Sequence, residues 1–157
     1  MDKKLTVYLL VGPPGSGKST FGKVLADGVN NTIRVCPDEF RAKFGRGEGD
    51  QSVSAIAFDA TRKAMREALS NGKDVVVDAT NMYRKARKEF IDIAHDHGAE
   101  TIAMVFECTK EVLLKRNIKR GSEGGRNVPE TVIDNMLSKY QCPDKTEVDK
   151  VILVTKN

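Results

Sequence analysis

The sequence predicts an α/β fold, a parallel sheet of about five strands with helices between them. Three observations predict it. Short apolar runs alternate with helix-period segments along all 157 residues. The first run, residues 5–11, is nearly all apolar, as in a strand buried on both faces. It leads directly into Gly12-Pro13-Pro14-Gly15-Ser16-Gly17-Lys18-Ser19-Thr20, which matches G-x-x-x-x-G-K-[ST], the phosphate-binding P-loop.

In that loop the glycines let backbone N–H groups turn inward onto phosphate oxygens. Lys18 brings positive charge to the β- and γ-phosphates, and the Ser19 hydroxyl suits Mg²⁺. The helix expected to begin near Lys18 aims its positive dipole end at the same anion. The candidate nucleotide-binding residues are therefore Gly12, Gly15, Ser16, Gly17, Lys18, Ser19 and Thr20. Chance would produce the four fixed positions on the order of once in two hundred chains of this length. A buried strand before the loop and an amphipathic helix after it (Phe21, Val24 and Leu25 on one side) make an ordinary glycine-rich turn the poorer account.

The later elements follow from local signals. Residues 32–35 form a short strand. Pro37 opens a helix with Asp38 and Glu39 in its first turn, and the stretch from Gly45 to Gly49 ends it in a flexible loop. A long helix starts near Gln51 with Val53, Ile56, Ala57, Ala60, Ala64, Ala68 and Leu69 as its apolar face, and Asn71-Gly72 stops it. Residues 74–78 are a buried strand ending in Asp78. Asn81 is placed to cap the next helix, whose face is Ala86, Phe90, Ile93 and Ala94 and which closes at Gly98. Residues 101–106 form a strand. Thr109 caps a helix through Val112, Leu113 and Arg116, and the glycines from Gly121 to Gly125 interrupt it. Pro129 starts a last helix (Val132, Ile133, Met136, Tyr140), and 151–154 is the last strand. No repeat, linker or low-complexity tract divides the chain, so 1–157 reads as one domain.

Composition bounds the setting. Apolar content of 39% and charged content of 31% suit a soluble globular protein. No apolar run approaches membrane-spanning length, and Met1-Asp2-Lys3-Lys4 precedes no signal-peptide core, so no membrane partner is expected. Cys36, Cys108 and Cys142 have no paired spacing, which suits a reducing cytoplasm. The net charge of +4 is concentrated: residues 110–126 hold six Lys or Arg and two Glu, leaving the rest of the chain neutral overall. Residues 84–88 form a second basic cluster.

Three groups of residues could carry chemistry beyond nucleotide binding. Arg116 and Arg120 are i, i+4 on one helix, as are Lys115 and Lys119, and like charges at that spacing destabilise a helix unless an anion lies between them. With the adjacent glycines and Arg126 they suggest a basic lid over about 116–128 that clamps a transferring phosphoryl group. Asp38 and Arg41, at i, i+3, face one way beyond the carboxyl ends of the strands. There a carboxylate can accept a hydroxyl proton and an arginine can hold a phosphate. The alternative is that Asp38 only favours the helix start and Arg41 lies on the surface. Asp78-Ala79-Thr80-Asn81 ends a buried strand with a carboxylate that either acts on Mg²⁺ through water, orients Ser19, or anchors an acceptor through Thr80 and Asn81. His95 and His97 close a helix and are assigned no function.

Taken together, the P-loop, Asp38-Glu39-Phe40-Arg41, Asp78-Ala79-Thr80-Asn81, Val105-Phe106-Glu107, the stretch from Lys115 to Gly121 and Val128-Pro129 resemble, in order and approximate spacing, the 5′-kinase domain of bacteriophage polynucleotide 5′-hydroxyl kinases. The resemblance covers nearly the whole chain. It implies a three-layer P-loop kinase fold with a basic helical lid, ATP (or another nucleoside triphosphate) and Mg²⁺ as cofactors, and the 5′-hydroxyl end of DNA or RNA as acceptor. It implies Lys18 and Ser19 on the phosphates and metal, Asp38 as general base, Arg41 on the acceptor's 3′-phosphate, Asp78 and Thr80 near the acceptor, and Arg116 and Arg120 in the lid toward ATP. A location in the cytoplasm, that of the host if the chain is phage-encoded, goes with it. The chain shows no D-x-D-x-T phosphatase motif, so 3′-phosphatase activity is not expected, and the segment 122–127 departs from the family pattern. Two rival readings stand beside this one: a P-loop kinase acting on a metabolite, nucleoside or drug, and a nucleotide-binding regulatory module without transfer.

Overall fold

A computed structural model of the protein describes residues 4–13, 16–28, 31–45, 53–106, 109–124 and 128–155. The order of elements is β1 (Thr6–Val11), α1 (Lys18–Gly28), β2 (Thr32–Val35), α2 (Pro37–Phe44), α3 (Ser54–Ser70), β3 (Asp74–Val77), α4 (Arg84–Asp96), β4 (Glu100–Phe106), α5 (Lys110–Ser122), α6 (Glu130–Lys139) and β5 (Lys150–Val154). The five strands pair in parallel in the order β2-β3-β1-β4-β5. β1 is central, and its neighbours β3 and β4 lead in opposite directions across the sheet. The loop after β1 therefore leaves at the point where strand order reverses, the usual ligand crevice of an open α/β sheet.

Side-chain alternation divides the core into two. Val7, Leu9 and Val11 face one way, with Val75, Val77, Ala103 and Val105, and are covered by Met65 of α3 and Phe90 and Ala94 of α4. Leu10, Val76, Ile102, Met104 and Phe106 face the other way and are covered by Phe21 and Leu25 of α1. Phe21 meets Phe106 edge to face, centroids 5.4 Å apart. Helices on both faces of a parallel sheet make the three-layer α/β architecture expected of a P-loop kinase fold.

Several helix faces differ from the sequence reading. Val24 is 66% exposed, and the inward position on α1 is Gly22, where a Cβ would come 2.9 Å from Leu10 Cδ1. The buried face of α3 is Ala57, Thr61, Met65, Ala68 and Leu69, while Ile56 is exposed. Thr61 is accommodated because its hydroxyl donates to the Ala57 carbonyl at 2.7 Å. In α4, Ala86 is exposed and Arg87 is buried. Tyr83, not Asn81, occupies the N-cap position of α4. α5 continues through Gly121 to Ser122 instead of breaking there, after Thr109 Oγ1 accepts the Val112 N–H at 3.3 Å. The expected glycine-rich loop at 46–49, the start of the long helix at Gln51, and Arg126 lie outside the described residues.

α5 and α6 carry a small core of their own: Leu113, Val128 and Ile133, with Leu114 and Leu137 against it. Asn117 is buried between them. Its amide donates to the Val128 carbonyl, and its Oδ1 accepts the Val128 N–H at 2.7 Å. The basic segment is thus half of a helical pair with its own packing.

The tight seat of α1 on the sheet is testable. Gly22→Val should lower stability by about 1–3 kcal/mol, the usual cost of overpacking, read as a lower urea midpoint.

Candidate nucleotide and acceptor site

The loop after β1 is held by backbone bonds. The Gly12 N–H donates to the Thr80 carbonyl at 2.9 Å, the Ser16 N–H to the Pro13 carbonyl at 3.2 Å, and the Phe21 N–H to the Gly17 carbonyl at 3.2 Å as α1 begins. Gly17 sits at φ +91°, a conformation that favours glycine. A Cβ on Gly12 would lie 2.8 Å from Ser16 Oγ and 3.2 Å from Phe106 Cβ, so the loop closes only with glycine there. Ser16 is buried and its hydroxyl has no hydrogen-bond partner among the described residues. Such a group costs about 1–3 kcal/mol, and a phosphate oxygen held in the loop would satisfy it. Lys18 and Ser19 are half-buried and Thr20 is exposed. Gly15 lies outside the described residues.

Asp78 follows β3 directly. Its N–H donates to the Val35 carbonyl at 2.9 Å, and its carboxylate is almost completely buried. Arg34 meets it there: Nε and Nη2 donate to Asp78 Oδ2 at 2.8 and 2.6 Å, and Nη1 pairs with Glu39. Burial opposes the Arg34 charge, but hydrogen bonds and charges from Glu39 and Asp78 outweigh it and raise its pKa above the ordinary arginine value. Sequence reading missed Arg34. The one available signal was a cation in the four-residue strand Thr32–Val35.

Thr80 and Asn81 are bound to the end of β1. Besides the Gly12–Thr80 bond, Asn81 Nδ2 donates to the Leu10 carbonyl at 2.8 Å, with Asn81 at φ +48°. Arg87 was also missed. It has no exposed surface, donates from Nη1 to the Asn81 carbonyl at 2.7 Å, and grips both oxygens of Glu147 at 2.6 and 3.0 Å. Arg84 pairs with Asp144 at 3.3 Å and Lys88 with Asp92 at 2.7 Å. The basic run at 84–88 is therefore largely neutralised by its own surroundings.

Asp38 and Arg41 pair with each other on α2. Arg41 is 9% exposed; its Nη2 also donates to Ser54 Oγ at 3.3 Å, and its guanidinium lies 5.6 Å from the Phe58 ring centroid. The Asp38 side chain keeps 41% exposure and can meet a substrate. The register Val35↔Val77 puts the start of α2 beside the start of the loop at 78–81. Cys36, between them, is buried. Burial first, then the nearby Asp78 charge, pushes its thiol up to about 11. In α5, Arg116 is half-buried and Arg120 follows one turn later. Lys115 pairs with Glu111 at 3.4 Å, so part of the expected like-charge strain is relieved within the helix.

Residues 7–143 match the sequence profile described as AAA domain. The chain belongs to the AAA domain family. Among curated relatives, this AAA domain is 32% identical over 141 residues to the L-seryl-tRNA(Sec) kinase of Methanococcus maripaludis, covering 87% of this chain and 53% of that protein. It is 28% identical to the bifunctional polynucleotide phosphatase/kinase of Schizosaccharomyces pombe, over 90% of this chain and 31% of that one. Among solved structures, a chain of the Pnkp1/Rnl/Hen1 RNA repair complex superposes with a TM-score of 0.77 at 27% identity, over 88% of this chain and 45% of its own. The AAA domain thus spans about half or less of the length of these relatives. Among the described residues no helix is long and apolar enough to cross a membrane.

Two outcomes follow from these contacts. Arg34→Met leaves Asp78 buried without its partner and should cost about 3 kcal/mol or more in urea unfolding; adding Asp78→Asn should recover part of it. Cys36 keeps its proton in the folded state to about pH 11, whereas its ordinary value is 9.0. The unfolded chain then binds fewer protons between those values, so stability falls as pH rises above about 9. Cys36→Ala should make that fall shallower in denaturation curves compared at pH 8 and pH 10.

Proposed function

We propose that the protein is an ATP-dependent polynucleotide 5′-hydroxyl kinase, transferring the γ-phosphoryl group of ATP to the 5′-hydroxyl end of DNA or RNA. The observation that carries this reading is the Asp38–Arg41 pair, with a solvent-reachable carboxylate beyond the end of β2, in a chain that also holds a P-loop. Its likeness to the S. pombe polynucleotide phosphatase/kinase and to a chain of an RNA repair complex supports the choice of acceptor.

On this reading the donor phosphates lie in the loop from Gly12 to Thr20, with the Ser16 hydroxyl and the start of α1 against them. The Ser19 hydroxyl would hold Mg²⁺, which would supply neutralisation of phosphate charge. Among the described residues no three His, Cys, Asp or Glu side chains cluster into a cage of their own, and the hydroxyl at the helix start fits an ion shared mainly with substrate phosphates. The 5′-hydroxyl oxygen attacks the γ-phosphorus in line, its proton passes to Asp38, and ADP leaves. Arg41, itself buried against Ser54 and Phe58, orients Asp38, and its charge favours an acceptor phosphate beside the pair. Thr80 lines the acceptor side, while Asp78 and Asn81 hold that loop in position. Lys18, Arg116 and Arg120 balance charge on the transferring group.

One relative favours a second reading. The 32% identity to an L-seryl-tRNA(Sec) kinase makes a hydroxyl carried on an aminoacyl group a rival acceptor. Transfer from labelled ATP to 5′-OH DNA, 5′-OH RNA, seryl-tRNA and free nucleosides separates the two; label confined to seryl-tRNA or nucleosides sinks the polynucleotide reading. Polynucleotide transfer should also weaken steeply with salt. Asp38→Asn should reduce transfer about 10²–10⁴-fold with ATP affinity nearly unchanged, measured by equilibrium binding. Equal losses of both would remove Asp38 from the base role.

A further inference from the structure

We propose that Arg87, clamped by Glu147, is a positioning residue for phosphoryl transfer. It holds the loop after β3 in the shape that fixes Asp38 and the P-loop relative to each other. This inference rests on the kinase reading with Asp38 as base, and its test separates the two.

The loop after β3 is tied to both parts of the proposed site. At its start, the Asp78 N–H donates to the Val35 carbonyl at 2.9 Å, just before α2. The Asp78 carboxylate is held by Arg34, whose Nη1 pairs with Glu39, the neighbour of Asp38. At its end, the Thr80 carbonyl accepts the Gly12 N–H at 2.9 Å, and Asn81 Nδ2 donates to the Leu10 carbonyl at 2.8 Å. A shift of residues 78–81 would therefore change the spacing between Asp38 and the start of the P-loop.

That loop does not hold its shape by local preference. Asn81 stands at φ +48°, a left-handed conformation that a non-glycine residue keeps only when its surroundings over-determine it. Three consecutive carbonyls supply the constraint. Those of Thr80, Asn81 and Met82 accept from the Gly12 N–H at 2.9 Å, Arg87 Nη1 at 2.7 Å and the Gln141 N–H at 2.8 Å. The middle bond is the one made by a charged side chain, and charge-assisted bonds are the stronger kind.

Stability is a poor account of that side chain. Arg87 has no exposed surface, and it lies in the first turn of α4, where the helix dipole disfavours a cation. Glu147 compensates it with bonds of 2.6 and 3.0 Å. A buried pair of this kind is often replaced by apolar residues of similar volume at no loss of stability. An apolar pair cannot donate to the Asn81 carbonyl. The guanidinium can, because its fork serves Glu147 from Nε and Nη2 and leaves Nη1 for the loop.

The test uses the full chain and whichever of 5′-OH DNA, 5′-OH RNA, seryl-tRNA and free nucleosides the wild type phosphorylates. Arg87→Met with Glu147→Leu should melt at or above the wild-type temperature. Its kcat should nonetheless fall about 10²-fold, the cost of a misplacement near 1 Å. ATP affinity should stay nearly unchanged, because the Ser16 and Phe21 N–H groups keep their own bonds within the donor loop. A group that only stabilised the fold would show no such split. If the double variant melts lower, Arg87→Lys carries the comparison, since it keeps a charge for Glu147 but lacks the fork. Wild-type kcat in the folded variant overturns the proposal. So does an equal loss of ATP affinity, which would assign the pair to the donor loop alone. If the wild type phosphorylates none of the four acceptors, the kinase reading fails by itself and amide hydrogen exchange decides. The Gly12 N–H should then exchange about tenfold faster in the variant while the amides within β1 keep their protection. Equal protection of Gly12 in variant and wild type overturns the inference.

Discussion

The site depends on one backbone hydrogen bond, from the Gly12 N–H to the Thr80 carbonyl. β1 ends at Val11, and the chain must turn there without leaving a buried donor unpaired. The loop after β3 supplies the acceptor, and Asn81 adds a second tie to the Leu10 carbonyl. Behind Asn81 stands Arg87, and behind Arg87 stands Glu147, sixty residues further along the chain. The loop after β1, the loop after β3 and the segment before β5 thus form one connected polar network. Each member is satisfied by the next, the condition under which buried polar groups fix one geometry.

Much of this fold was legible in the sequence. All five strands were predicted within about a residue of their ends, because a parallel sheet buried on both faces leaves continuous apolar runs between turn residues. The P-loop was legible because its chemistry is local. The helix faces at Val24, Ile56 and Ala86 were misread for a different reason. Helical periodicity marks a stripe but not its centre, and the centres here are occupied by Gly22, Thr61 and Arg87, which no apolar count selects. Arg34 and Arg87 were illegible as buried groups because their carboxylate partners lie 44 and 60 residues away. A charge reads as surface until its partner is known.

Asp38 and Arg41 illustrate a similar limit. Spacing alone made Asp38 and Arg41 neighbours, and they do pair. What spacing did not indicate is that Arg41 is sunk against Phe58 and Ser54 while Asp38 stays open to solvent. That asymmetry gives the pair a direction: the arginine anchors, the carboxylate reaches outward.

The reciprocal bonds between Asn117 and Val128 also bear on how such a chain can change. They fasten both ends of the intervening stretch to one point on the α5–α6 pair. Doubling the length of a loop whose ends are already fixed costs only about 0.6 kcal/mol in closure entropy. An insertion after Ser122, where α5 ends, would therefore leave the two helices in register. The same helical pair would in this way carry connections of different length.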